Sequence, residues 1–234
     1  IRDSDSTDPF ALFDGKTSCH TGWLKSAGML LPMGYLIGNG YAEVIGDPND
    51  VASLRDTIYN FFNEDASIPD SGDFYYSYEG ALRCLSEDRG DIAFIADTTY
   101  DYNCVQKQRN WCLENEDGSS GYVALPLFGK APSHPVMYNP EMMDMYTRAA
   151  ILNALMDMNN EEWIDEGDGY CYNKVTHDVD REIGPNMCGD SILDEILNTG
   201  GLIAVNTQEH MGSYSDSISN VPGIAAYFEG KYDI

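Results

Sequence analysis

The run Asp91-Ile-Ala-Phe-Ile-Ala96 is apolar at every position after the aspartate. A strand with one face in water alternates apolar and polar residues. A continuous apolar run therefore reads as a strand covered on both faces, as in a parallel sheet. Helical periodicity surrounds it. Val51, Leu54, Ile58 and Phe61/Phe62 recur at helical spacing and predict a helix over 51–62. Glu79 to Leu85 predicts a short helix, and Met142, Met145, Ala149, Leu152, Leu155 and Met156 predict another over 142–158. A further helix is expected to open near Thr21 and run through Leu36, kinked at Pro32 and stopped by Gly38–Gly40. Tyr122–Phe128 and His134–Tyr138 read as strands, Ser191–Leu197 as a short helix and Tyr214–Phe228 as a turn-rich stretch. Alternating elements of this kind imply an α/β fold with a largely parallel sheet.

The surface chemistry excludes several partners. Acidic residues outnumber basic ones 39 to 13, for a formal charge of −26. Phosphate backbones are bound by lysine and arginine surfaces that release counterions, so nucleic acid is not a partner. Anionic membrane surfaces are disfavoured for the same reason. No stretch of 18 apolar residues is present, so the chain is not membrane-spanning. The six cysteines, Cys19, Cys84, Cys104, Cys112, Cys171 and Cys188, include no C-x-x-C pair. An even count without metal-type spacing suggests three disulfides in an oxidising compartment, with fifteen connectivities open. Proximity alone pairs Cys104 with Cys112 and Cys171 with Cys188. Catalytic signatures are missing: there is no G-x-S-x-G, no H-E-x-x-H and no P-loop. The chain is expected not to be an enzyme.

Three ordered blocks carry a family resemblance. The first is Gly15-Lys-Thr-Ser-Cys-His-Thr-Gly22, followed by Ser26-Ala-Gly28 and Leu31-Pro-Met-Gly34. The second is Tyr76-Ser-Tyr-Glu-Gly-Ala-Leu-Arg-Cys-Leu85, followed by Gly90-Asp-Ile-Ala-Phe94. The third is Leu125 to Val136, with Ala131-Pro-Ser-His134. In order and spacing the three resemble the second domain of a transferrin lobe, over roughly residues 10 to 138.

The resemblance implies a lobe like a periplasmic binding protein, with a mixed, largely parallel sheet flanked by helices. Residues 10–133 would be the second domain, holding the anion- and metal-binding half. Residues 134–234 would be a hinge strand and a C-terminal segment returning to the other half. It also implies a Cys19–Cys84 disulfide. In the family an aspartate and a second tyrosine complete the iron shell, and both precede these blocks. The chain begins almost where the blocks begin, so the usual N-terminal segment is expected from elsewhere, including a second chain that supplies the missing half. Asp178, Asp180, Glu209, His210, Tyr214 and Asp216 are further candidates for metal contacts.

The site residues follow from the matched positions. A helix opening near Thr21 aims unpaired N–H groups and a positive dipole end at whatever precedes it. Thr21, Lys25, Ala27 and Gly28 would cradle a carbonate-like anion. The family has an arginine where Lys25 stands. Lysine is a point charge without a bidentate fork, which favours anion release at mildly acidic pH. Tyr78 and His134 match the family's tyrosine and histidine ligands. A phenol titrates near pH 10, so Tyr78 ligates at neutral pH only to a strong Lewis acid such as Fe3+. The implied function is an extracytoplasmic protein that captures ferric iron with a synergistic carbonate-like anion in an interdomain cleft, for hand-over to a cell-surface receptor or transporter. Two alternatives stand beside it: a phosphate- or phosphonate-type oxyanion-binding protein without metal, and a structural protein completed by another chain.

Overall fold

The structure, a computed structural model, describes residues 8–130, 139, 141–157, 163–165, 171–173, 179–180, 202–204 and 207–232. The chain divides into two compact units, Ile1–Ser133 with Gln208–Ile234, and His134–Thr207.

The first unit is α/β. Ser18–Cys19 (β1) and Ile92–Ala93 (β2) pair in parallel, Ser18 opposite Ile92 and Cys19 opposite Ala93. Ser67 lies on the other side of β1: its N–H donates to the Ser18 carbonyl at 2.7 Å, and the His20 N–H donates to the Ser67 carbonyl at 2.9 Å. The paired strand is shorter than the run 91–96 predicts. Asp97 caps the short helix that follows and the Thr99 N–H bonds back to Ala96, so the chain turns away after Phe94.

Three helices follow from the sequence pattern, α1 (Leu31–Gly38), α2 (Ser53–Phe61) and α3 (Ser77–Ser86); the short α4 (Thr98–Tyr100) does not. On α2, Leu54, Ile58 and Phe61 sit one turn apart and are buried, while Asp56 and Asn60 face water. Each such side chain contributes about 1.5–3 kcal/mol on full burial. They meet Met29, Leu30, Met33 and Leu36 around α1 and the aromatic rings of Phe10, Phe13, Phe62 and Phe94. The segment 122–128 is not a strand. Its Leu125 and Phe128 pack on the core, and Pro126 lacks the N–H a ladder needs.

The second unit contains α5 (Met145–Asp157) and an antiparallel sheet of β3 (Trp163–Asp165), β4 (Cys171–Asn173) and β5 (Val179–Asp180), in that order. Asp144 caps α5, accepting from the N–H groups of Tyr146 and Thr147 at 2.8 and 2.9 Å. The predicted elements at His134–Tyr138 and Ser191–Leu197 lie outside the described residues.

The C-terminal stretch, expected to be turn-rich, is helical: α6 (Thr207–Ile218) and α7 (Ile224–Tyr232). Its serines are poor helix formers, but Val221 and Ile224 enter the core of the first unit, and packing overrides propensity. The Asn220 side chain donates to the Gly34 carbonyl at 3.2 Å, and the Gly223 N–H to that of Pro48 at 2.9 Å.

Candidate anion and metal site

Beyond β1 the chain does not enter a helix at Thr21. Gly22 has φ +143° and Leu24 φ +57°, so the segment loops first and the helical turn starts at Ser26. Lys25 precedes it in extended conformation, and its carbonyl accepts from the N–H groups of both Met29 and Leu30 at 3.0 Å. The N–H groups of Ser26, Ala27 and Gly28 come before the first such bond, at the positive end of a helical run that continues through α1.

Thr21 closes this turn from below. It is 3 % exposed, and its Oγ1 is buried with no hydrogen-bond partner among the described residues. A Cβ placed on Gly28 would fall 2.0 Å from that oxygen, so only glycine fits here. A buried hydroxyl left unpaired costs about 1–3 kcal/mol. The donor set of Thr21 Oγ1 and the first-turn amides fits a small oxyanion, which would satisfy all of them.

His20 lies behind the turn, fully buried. Its Nδ1 is 2.9 Å from the Gly28 carbonyl and its Nε2 3.0 Å from Ser18 Oγ. A carbonyl only accepts, so the proton sits on Nδ1 and Ser18 donates to Nε2. The ring stacks on Phe94 with centroids 5.1 Å apart. Burial pushes the imidazole down to about 4, against the opposing pull of the Gly28 carbonyl, and keeps it neutral at physiological pH. Nothing in the spacing of the sequence singles out His20; its place beside Cys19 is the one hint that it sits on a covered strand.

The start of α3 is held against the same loop. The Ser77 N–H donates to the Thr21 carbonyl at 2.9 Å and the Trp23 N–H to that of Pro69 at 3.2 Å. Ser77 takes φ +76°, a left-handed conformation that costs a non-glycine residue about 1–2 kcal/mol. The Tyr76 ring lies against Gly22, where a Cβ would come within 2.6 Å of Cε2, and Lys25 Nζ stands 5.2 Å from the centroid of that ring. A disulfide, Cys19–Cys84, joins β1 to α3, and a second joins Cys104 to Cys112.

The structure therefore brings Thr21, Lys25, Ala27 and Gly28 together and sets α3, with Tyr78, beside them. Tyr78 is 42 % exposed in the first turn of α3, and the neighbouring Glu79 pairs with Arg109 at 3.5 Å. His134, Cys188, Asp178 and the side chain of Cys171 lie outside the described residues. Of the C-terminal candidates, Glu209, His210, Tyr214 and Asp216 fall on α6 and Asp180 on β5. Among the described residues no three His, Cys, Asp or Glu side chains gather in one place. A groove lined by Leu12, Phe13, Leu85, Ile92, Val123 and Leu125 is separate and includes none of the site residues.

The comparisons with known proteins bear on the same segment. The family model described as Transferrin matches residues 63–137, from the end of α2 through the stretch that contains His134. Lactotransferrin of Homo sapiens is 31 % identical over 130 residues, 51 % of this chain and 17 % of that protein. Melanotransferrin of Homo sapiens is 28 % identical over 200 residues, 68 % of this chain and 26 % of that protein. Ovotransferrin of Gallus gallus is 33 % identical over 125 residues, 45 % of this chain and 17 % of that protein. The chain thus spans only 17 to 26 % of the length of these relatives. The two disulfides among the described residues suit an oxidising compartment. No described helix is long and apolar enough to cross a membrane.

Proposed function

From the premise that the chain is transferrin-like, we propose that it captures ferric iron together with a small oxyanion and performs no catalysis. The observation that carries the reading is the buried Thr21 hydroxyl, unpartnered and set against the open first turn at Ser26–Gly28. Thr21 Oγ1 and the N–H groups of Ala27 and Gly28 would donate to the oxyanion, and Lys25 would supply a counter-charge. A bicarbonate-derived anion held there brings negative charge to the metal side of the site. Tyr78 and His134 would hold the metal, because phenolate and imidazole suit a hard, highly charged ion without any thiolate. No residue of this chain is assigned to the remainder of the iron shell. Hand-over of the cargo falls to a cell-surface receptor or transporter.

The test is a titration with ferric nitrilotriacetate in bicarbonate buffer, read by visible absorbance. An iron–phenolate band that disappears in Tyr78→Phe is the expected result. Absence of a band, with a phosphate-dependent rise in melting temperature that disappears in Thr21→Val, would replace this reading with that of a metal-free oxyanion receptor. Silence in both titrations would mean that the chain binds only together with a partner chain.

A further inference from the structure

Lys25 is the sole cationic side chain in the loop 20–28, and it is exposed. A flexible ammonium on a four-carbon stem has little preference for one station in water, and about 2 kcal/mol of rotamer entropy opposes holding it. Here its Nζ stands over the face of Tyr76, 5.2 Å from the ring centroid, within the reach of a cation–π contact. The same ring is itself fixed. Tyr76 is the N-cap residue of α3, two residues before Tyr78, and its ring lies against the backbone of Gly22, where any Cβ would collide with it. The Ser77-to-Thr21 hydrogen bond pins the next residue to the floor of the anion turn.

We infer that Tyr76 is a positioning residue for the anion: its ring holds Lys25 at the mouth of the Thr21–Gly28 turn and ties that charge to the helix that carries Tyr78. The inference rests on the oxyanion reading above. Lysine lacks the planar fork by which an arginine orients itself on an anion, so an aromatic platform does the orienting instead. The requirement is for a π-face, not for the phenol hydroxyl. Phenylalanine should serve and leucine should not.

The experiment titrates bicarbonate at fixed ferric nitrilotriacetate against the full chain and reads the half-saturating bicarbonate concentration. Tyr76→Leu should raise it about two- to five-fold, the worth of an exposed cation–π contact, while Tyr76→Phe stays at the wild-type value. In a Lys25→Met background, Tyr76→Leu should have no further effect. Melting temperatures of the variants separate a loss of fold from a loss of positioning. Equal values for the leucine and phenylalanine variants, or an undiminished effect of Tyr76→Leu without Lys25, would overturn the inference and leave the oxyanion reading standing. A wild-type chain whose signal ignores bicarbonate would overturn both.

Discussion

The Thr21 hydroxyl and the α-carbon of Gly28 face each other so closely that a β-carbon on Gly28 would lie 2.0 Å from Thr21 Oγ1. The contact leaves a buried donor with no partner in the described chain. Thr21→Val keeps the shape and removes the unpaired group. It is expected to raise stability to unfolding by about 1 kcal/mol while weakening oxyanion binding at least about ten-fold, the value of one charge-assisted hydrogen bond. Urea unfolding and anion titration of the same variant measure the two effects, and a fall in stability would contradict this account of the site.

His20 gives a pH signature of the same sign as that of the carboxylates held below their usual range, Glu87, Asp117 and Asp144, but one that begins at higher pH. Its folded pKa of about 4 lies below the unfolded 6.5, so the unfolded chain binds the extra proton. The associated stability is fully present above pH 6.5 and is lost as pH falls from 6.5 toward 4, amounting to about 3 kcal/mol over that window. In His20→Gln the stability profile should be flatter by that amount between pH 6.5 and 4. Denaturant midpoints at pH 7, 5.5 and 4.5 would show it; parallel profiles would rule out a buried neutral imidazole.

The two disulfides should differ in worth. Cys19–Cys84 closes a separation of 65 residues and Cys104–Cys112 one of 8. In the chain-entropy picture their removal costs about 4 and about 2.5 kcal/mol. Paired serine variants, compared by thermal unfolding, should keep that order. The Cys19→Ser/Cys84→Ser chain should also lose anion binding, because β1 and α3 carry opposite sides of the site.

The C-terminal helices test where the core ends. Ile224 is 5 % exposed within the same cluster as Leu54 and Ile58. Ile224→Ala should therefore destabilise the first unit by about 2–5 kcal/mol. A change within 0.5 kcal/mol in urea unfolding would mean that α7 merely lies on the surface.

Much of this arrangement was legible in the residues. The apolar periodicity of α2 and α5 follows from spacing. The clustering of Thr21, Lys25, Ala27 and Gly28 follows from their nearness along the chain. What spacing does not reveal is of another kind. The delay of the helix start from Thr21 to Ser26 depends on backbone angles at Gly22 and Leu24, and Leu24 is a residue type that rarely adopts φ +57°. The helices at 207–232 form because Val221 and Ile224 find the core, a contact across most of the chain. His20 and Tyr76 matter through what they touch, Gly28 and Lys25, and neither contact leaves a trace in local pattern.

The bond between Cys19 and Cys84 also governs the order in which the molecule can be assembled. Loop closure across 65 residues is less favourable than across 8 by about 2 kcal/mol, and Cys84 is nearer along the chain to Cys104 than to Cys19. During oxidation the short ring forms first and mispairing competes for Cys84. The native partner is presented only once β1 has found β2 and α3 has docked. The anion turn and the tyrosine helix are therefore locked together in one late step, so a chain trapped before it would retain most of its helices and have no binding site at all.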